Sequence, residues 1–275
     1  MNGRKMDRSR RMMDKLKLGL KKILKSQEER FIFFPEKKFS DDPQKYGVTY
    51  ENVYFETEHH RSLHGWYFHP FPKARVLFYL HGNAGNISDR SHFVSELIRH
   101  LRVNLFIFDY QGYGKSEGSP SEMGMYQDAR AAYDILLHKG YTEPQIIIYG
   151  KSLGGAVAID LAAQKKMAAL IVENTFTSAY EMARHLYPYL PHQWMLTAKF
   201  DSLSKMKHIH VPKLFIHATQ DPTVPYLLGQ KLFEAAPQPK VFYAVPSANH
   251  GASYLDGKES YFSHLNDFLL KFIEP

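Results

Sequence analysis

The 275-residue chain contains no cysteine. That excludes disulfides, a thiol nucleophile, iron–sulfur clusters and cysteine-based zinc sites. It leaves the redox compartment open, since absent thiols suit reducing and oxidising surroundings alike. Long apolar runs are missing too: nothing approaches the roughly 20 residues that cross a bilayer, so the chain does not read as an integral membrane protein. A secretory signal is not legible either, because Lys17, Lys21 and Lys22 interrupt any apolar region near the start. Asn2 follows the initiator Met, so the myristoylation pattern is absent. With 44% hydrophobic, 14% aromatic and 23% charged residues, the composition is that of a folded globular chain. The length fits one large domain, or at most two.

The formal net charge is +7, and its location matters more than its size. Residues 1–30 hold eleven Lys or Arg and four Asp or Glu, which accounts for the whole excess. The remaining 24 basic and 24 acidic groups balance. A nucleic-acid-binding body carries a basic face of its own, so no nucleic-acid partner is expected for it. Within the arm, Met12, Met13, Leu16, Leu20, Ile23 and Leu24 share an arc of about 120° at helical spacing, with Lys15, Lys21, Lys22 and Lys25 opposite. Leu18 falls on the polar side and Gly19 weakens the helix. Such a basic amphipathic helix suits an anionic membrane surface; docking on the body, or binding another partner, is the alternative. The expected location is cytoplasmic, peripheral at a membrane surface if the arm engages lipid.

From residue 31 onward, strand-like and helix-like segments alternate, which argues α/β architecture: a mostly parallel sheet with helices on both faces. Two segments of period-2 patterning, Val48–Glu56 and Leu63–Phe68, suit an antiparallel start. The buried strands expected next are Val76–Leu80, Leu105–Phe108, Ile146–Tyr149, Ala169–Val172, Lys213–His217 and Val241–Val245. Helices are expected over about 91–101 and 122–137, from just after Ser152, and over about 258–272. His81-Gly82-Asn83-Ala84-Gly85-Asn86 reads as a loop. The stretch of about 176–205 exceeds a single crossover and carries Tyr187, Leu190 and Trp194. It suits a short lid over a pocket, or equally an extra helix packed on the core.

The sharpest signal is Gly150-Lys151-Ser152-Leu153-Gly154, a G-x-S-x-G placed between a buried strand and a helix. A strand-to-helix turn this sharp strains the central residue and exposes its hydroxyl above the sheet edge. The flanking glycines remove Cβ atoms that would collide. Gly150-Lys151-Ser152 also resembles the end of a phosphate-binding loop, but that motif needs glycine where Gln145 stands, and Ile146, Ile147 and Ile148 read as strand. Nucleotide binding is therefore rejected.

A serine hydroxyl needs a base and an orienting acid. Among 15 histidines, position decides. His250 lies in the loop after the last strand, and Asp221 directly follows the strand Lys213–His217, beside Pro222 and Pro225. Glu173, after Ala169–Val172, is the competing acid; the proline-marked turn favours Asp221. The developing oxyanion needs donors: the backbone N–H of Leu153, beside the nucleophile, and that of Asn83, with Ala84 as the fallback. His81 reads as a packing and hydrogen-bonding residue.

Taken together, the His81–Asn86 loop, the Asp109–Gly118 stretch (Asp-Tyr-Gln-Gly-Tyr-Gly-Lys-Ser-Glu-Gly), the turn around Ser152 and the late Asp221 and His250 resemble the α/β-hydrolase superfamily. More narrowly the chain resembles its protein depalmitoylases, monoacylglycerol-lipase-like enzymes and serine aminopeptidase-like relatives. That resemblance, over residues 31–275, implies an eight-stranded sheet and hydrolysis through an acyl-enzyme, with Ser152, Asp221 and His250 as the triad. It implies no catalytic role for Asp109–Gly118. Relatives often carry a cysteine cluster or a membrane-spanning helix ahead of the domain, so palmitoylated anchoring does not carry over. Many also have Asp-Gly where His59-His60-Arg61 stands.

The expectation is a serine hydrolase needing no metal and no cofactor, acting on an ester or thioester of a small-molecule or lipid-like acyl group. Tyr187, Leu190 and Trp194 are the expected substrate-binding residues. A peptidase or amidase with the same triad is the first rival, and would need an acidic anchor such as Glu181. A non-catalytic lipid- or partner-binding scaffold is the second.

Overall fold

The sheet follows from where apolar residues run without interruption and where they alternate. The computed structural model describes residues 32–189, 196–251 and 253–273. The basic arm of residues 1–30, with Leu190 and Trp194, lies outside the described residues. The strands are β1 (Glu51–Glu56), β2 (Ser62–Phe68), β3 (Val76–Leu80), β4 (Asn104–Phe108), β5 (Ile146–Lys151), β6 (Ala169–Glu173), β7 (Lys213–Ala218) and β8 (Lys240–Val245). They form one eight-stranded sheet in the order β1-β2-β4-β3-β5-β6-β7-β8. Every neighbouring pair is parallel except β1/β2 and β2/β4, so β2 alone runs against the rest. All residues of β3, β4, β6 and β7 are buried, as strands covered on both faces require.

Helices α1 (Ser91–Leu101), α2 (Glu122–His138), α3 (Leu153–Ala162), α4 (Ala179–Leu186), α5 (Ser202–Met206), α6 (Tyr226–Ala235) and α7 (Ser253–Phe272) fill the connections. Because side chains alternate along a strand, β3 feeds two cores. Val76, Phe78 and Leu80 pack with Met125 and Ala129 of α2, Val157 of α3 and Leu232 of α6. Leu77 and Tyr79 pack with Phe93 and Leu97 of α1 and with Tyr261 and Leu265 of α7. Each such buried Leu or Phe contributes about 1.5–3 kcal/mol. Helix α3 has its first nine residues buried, Leu153–Leu161, and its Gly154 is essential to the approach: a Cβ there would lie 2.1 Å from the Leu80 carbonyl oxygen.

Several local expectations shift. β1 starts at Glu51 rather than Val48, because a 3-10 turn at Pro43–Tyr46 delays the chain's entry into the sheet. The final helical stretch, Ser253–Phe272, is divided by a non-helical Lys258 (φ 48°, ψ −134°) beside Gly257: the helix expected from about 258 follows that kink, and a short unexpected one precedes it. The His81–Asn86 stretch is not wholly loop: Ala84–Gly85 pairs in parallel with Phe34–Pro35. Helix α6, unassigned from sequence, follows Pro225 and packs Gly229 against His217. The β1–β2 turn forms with His60 in the left-handed region (φ 54°).

Candidate active site

Parallel strands deliver the loops that follow them to one sheet edge, and three such loops converge here. Ser152 sits between β5 and α3 at φ 53°, ψ −120°. A non-glycine residue there costs about 1–3 kcal/mol and persists only when its surroundings fix it. They do: the Ser152 N–H donates to the Glu173 carbonyl at 2.8 Å, and the Ser152 carbonyl accepts from Gly155 N–H at 2.9 Å and Thr175 Oγ1 at 2.7 Å.

His250 reaches this serine from the loop after β8, with Nε2 3.0 Å from Ser152 Oγ. Its Nδ1 lies 2.7 Å from Asp221 Oδ2. A carboxylate only accepts, so Nδ1 carries the proton and the Nε2 lone pair faces the serine hydroxyl. The Asp221 side chain is fully buried; its Oδ1 accepts from the N–H groups of Thr223 and Val224, each at 2.8 Å. His217 also approaches Asp221, at 3.8 Å, but burial holds its pKa below the usual histidine range. Because a carbonyl only accepts, His217 donates its Nε2–H to Val224 at 3.0 Å.

Glu173, the competing acid, is engaged elsewhere. Its carboxylate meets Lys151 Nζ at 2.9 Å and accepts from the hydroxyls of Tyr149 and Tyr261. Burial pushes its pKa up, but Lys151 and the two hydroxyls outweigh that and hold it below the usual carboxylate range.

Leu153 opens α3 directly after the serine. The His81–Asn86 loop passes alongside, a Cβ at Gly82 coming 3.4 Å from Ser152 Cβ. Asn83 uses its side chain to hold the chain's first described residues: Oδ1 accepts from Phe34 N–H at 3.2 Å and Tyr113 hydroxyl at 2.9 Å, and Nδ2 donates to the Ile32 carbonyl. Asn86 Nδ2 donates to the carbonyls of Glu36 at 3.0 Å and Lys38 at 2.8 Å. Residues 32–40 thus form a strap along the loop. Among the described residues, the backbone N–H groups of Leu153 and Asn83 donate to no protein group.

His81 is buried, pushed down to about 3 by desolvation, and sits against the Tyr110 ring with centroids 4.6 Å apart. Asp109, pushed up to about 7 by burial, accepts from Ile87 N–H at 2.9 Å just beyond the loop. Tyr187 follows α4 with 46% of its surface open. Glu181 on α4 is 3.5 Å from both Arg184 and Lys231. Among the described residues no three His, Asp or Glu side chains are grouped to hold a metal ion, and no helix is long and apolar enough to cross a membrane. A cavity of about 320 Å³ lined by Lys73, Arg75 and Arg102 opens at the opposite end of the strands and touches none of these groups.

Sequence reasoning missed Asn174 and Thr175. The available signal was a polar run, Glu173-Asn174-Thr175, closing the apolar strand Ala169–Val172, with Asn among the non-glycine residues that best tolerate a left-handed backbone.

Comparisons with known proteins bear on the family and the fold. A family model described as serine aminopeptidase, S33, matches residues 71–204. Alpha/beta hydrolase domain-containing protein WAV2 of Arabidopsis thaliana is 32% identical over 280 residues, covering 91% of this chain and 90% of that protein. Protein bem46 of Schizosaccharomyces pombe is 34% identical over 242 residues, covering 82% and 79%. Among solved structures, the Pyrococcus furiosus esterase Pf2001 superposes with a TM-score of 0.72 at 18% identity, covering 88% of this chain and 98% of that one.

Proposed function

The chain belongs to the α/β-hydrolase superfamily, and from that membership we propose that it is a serine hydrolase cleaving a carboxylic ester or thioester, with a lipid-like acyl group, through an acyl-enzyme. The observation that carries this reading is the continuous relay from Ser152 Oγ to His250 at 3.0 Å and from His250 to Asp221 at 2.7 Å.

In the proposed reaction Ser152 Oγ attacks the carbonyl carbon while His250 Nε2 takes its proton. Asp221 holds the Nδ1–H tautomer and balances the imidazolium. The amides of Leu153 and Asn83 bind the tetrahedral oxyanion, each donor lowering the barrier by about 3 kcal/mol. His250 then protonates the departing alcohol or thiol. Water, deprotonated by the same nitrogen, releases the acid. Residues of about 176–205 form the lid, with Tyr187, Leu190 and Trp194 lining the acyl site. The basic arm, residues 1–30, attaches the enzyme to an anionic membrane surface from the cytoplasmic side.

Peptidase action is the second reading, favoured by the description of the matching family model. It needs an acidic group free for a substrate amine. The Glu181 carboxylate already faces two cations, Arg184 and Lys231, which supports the ester reading.

Fluorophosphonate labelling, with Ser152→Ala as control, tests the nucleophile: labelling of the wild type alone is expected, and no labelling of the folded wild type refutes the proposal. Turnover of acyl esters of graded length is expected to favour medium over short chains. The reverse order removes the acyl site, and hydrolysis of aminoacyl arylamides but not esters installs the peptidase reading. Liposomes containing anionic lipid are expected to retain the full chain better than one lacking residues 1–30, and equal retention rejects membrane attachment.

A further inference from the structure

The three groups of the relay ride on separate loops, and loops are the least constrained parts of a fold. One pair of residues touches the carriers of all three. Asn174 directly follows β6, 0% exposed and in the left-handed region at φ 46°. Its Nδ2 donates to the His250 carbonyl at 2.9 Å and to Ser253 Oγ at 2.9 Å. Its Oδ1 accepts the N–H of Ala218, three residues before Asp221, at 2.8 Å. Its own N–H donates to the Ile216 carbonyl at 2.9 Å. Next to it Thr175, 2% exposed, donates Oγ1–H to the Ser152 carbonyl at 2.7 Å.

We infer that Asn174 and Thr175 are positioning residues that set the mutual registry of nucleophile, base and acid, an inference that rests on the serine-hydrolase reading above. Neither side chain reaches the reacting atoms. The amide of Asn174 spans the gap between the base-bearing loop and the end of β7, so a displacement of one is resisted by the other. The hydroxyl of Thr175 fixes the carbonyl of the strained Ser152, which sets where Oγ points. Asn is suited to the first position on two counts: it tolerates the left-handed backbone, and it supplies donors and an acceptor from one planar group. Aspartate at 174 would keep the acceptor for Ala218 N–H but set a carboxylate oxygen against the His250 carbonyl.

Asn174→Gly preserves the backbone conformation while deleting the amide, and Thr175→Val deletes only the hydroxyl. With a soluble p-nitrophenyl ester, each is expected to lower kcat by about 100-fold, the effect of a misplacement near 1 Å. KM should stay within about threefold, since ground-state binding is untouched. Thr175→Ser, which restores the donor, is expected to recover kcat to within about threefold of wild type. Asn174→Asp is expected to be no better than Asn174→Gly. Wild-type kcat in folded Asn174→Gly and Thr175→Val overturns the inference. Loss of the cooperative melt in both also overturns it, because the pair then holds the fold rather than the site. Ser152→Ala in the same assay separates the two levels: turnover surviving in that variant defeats the serine-hydrolase reading itself.

Discussion

Lys151 places its ammonium 2.9 Å from a carboxylate oxygen of Glu173, immediately beside the serine of the strand-to-helix turn. The carboxylate is fully buried and the lysine only 13% exposed. Removing one partner of such a pair leaves the other uncompensated, at a cost of about 3–5 kcal/mol. Glu173→Gln is expected to lose stability in that range by denaturant unfolding. The folded-state pKa of Glu173 is lowered, so its contribution is complete above the unfolded value of about 4.3 and is lost as pH falls below it. The acidic limb of the wild-type stability profile should therefore flatten in Glu173→Gln, and an unchanged limb counts against the pairing.

Asp221→Asn keeps an acceptor for Thr223 and Val224 N–H yet no longer holds the required imidazole tautomer. A kcat loss on the order of 10⁴-fold with an unaltered melting temperature is expected. A loss below tenfold in steady-state ester assays would assign the orienting role to another acid.

Asn83 holds the strap through two side-chain hydrogen bonds, to Phe34 and Ile32, and its backbone N–H is the proposed oxyanion donor. Asn83→Ala is expected to lower kcat about 100-fold, comparable to losing an oxyanion donor. Deleting residues 1–35 should do the same, whereas deleting residues 1–30 should leave turnover of a soluble ester intact. Equal turnover by both truncations would separate the strap from catalysis.

Burial pushes the carboxyls of Asp109 and Asp128 up to about 7 each. The unfolded chain releases these protons near pH 4 while the folded chain keeps them, so stability is expected to fall as pH rises from about 4 to 7. Asp109→Asn and Asp128→Asn should each flatten that slope in melts taken across the window. A slope steepened by either substitution contradicts the burial argument.

Much of the architecture was legible because it rests on residues that act locally. Val76–Leu80 and Ala169–Val172 announce doubly covered strands by composition alone, and the glycines around Ser152 announce a turn that other residues obstruct. The positions of Asp221 and His250 followed from strand ends, which a parallel sheet brings to one edge. What stayed hidden depends on contacts remote in sequence. Nothing local in Asn83 tells that its side chain fastens Ile32 and Phe34, and nothing in Phe34–Pro35 announces a strand, since its partner is Ala84–Gly85. Helix α6 escaped because Gly229 interrupts its pattern, the glycine being dictated by the His217 ring across the interface.

The strap anchors the chain at Ile32, so the span open to the residues before it is bounded by their number. Ile32 is bonded to Asn83, and Lys25, at the end of the amphipathic stretch, precedes it by seven residues. Fully extended, seven residues reach roughly 25 Å. Under the proposed membrane attachment, a surface gripping Lys25 would lie within that radius of Asn83, close enough to present an acyl group to Ser152.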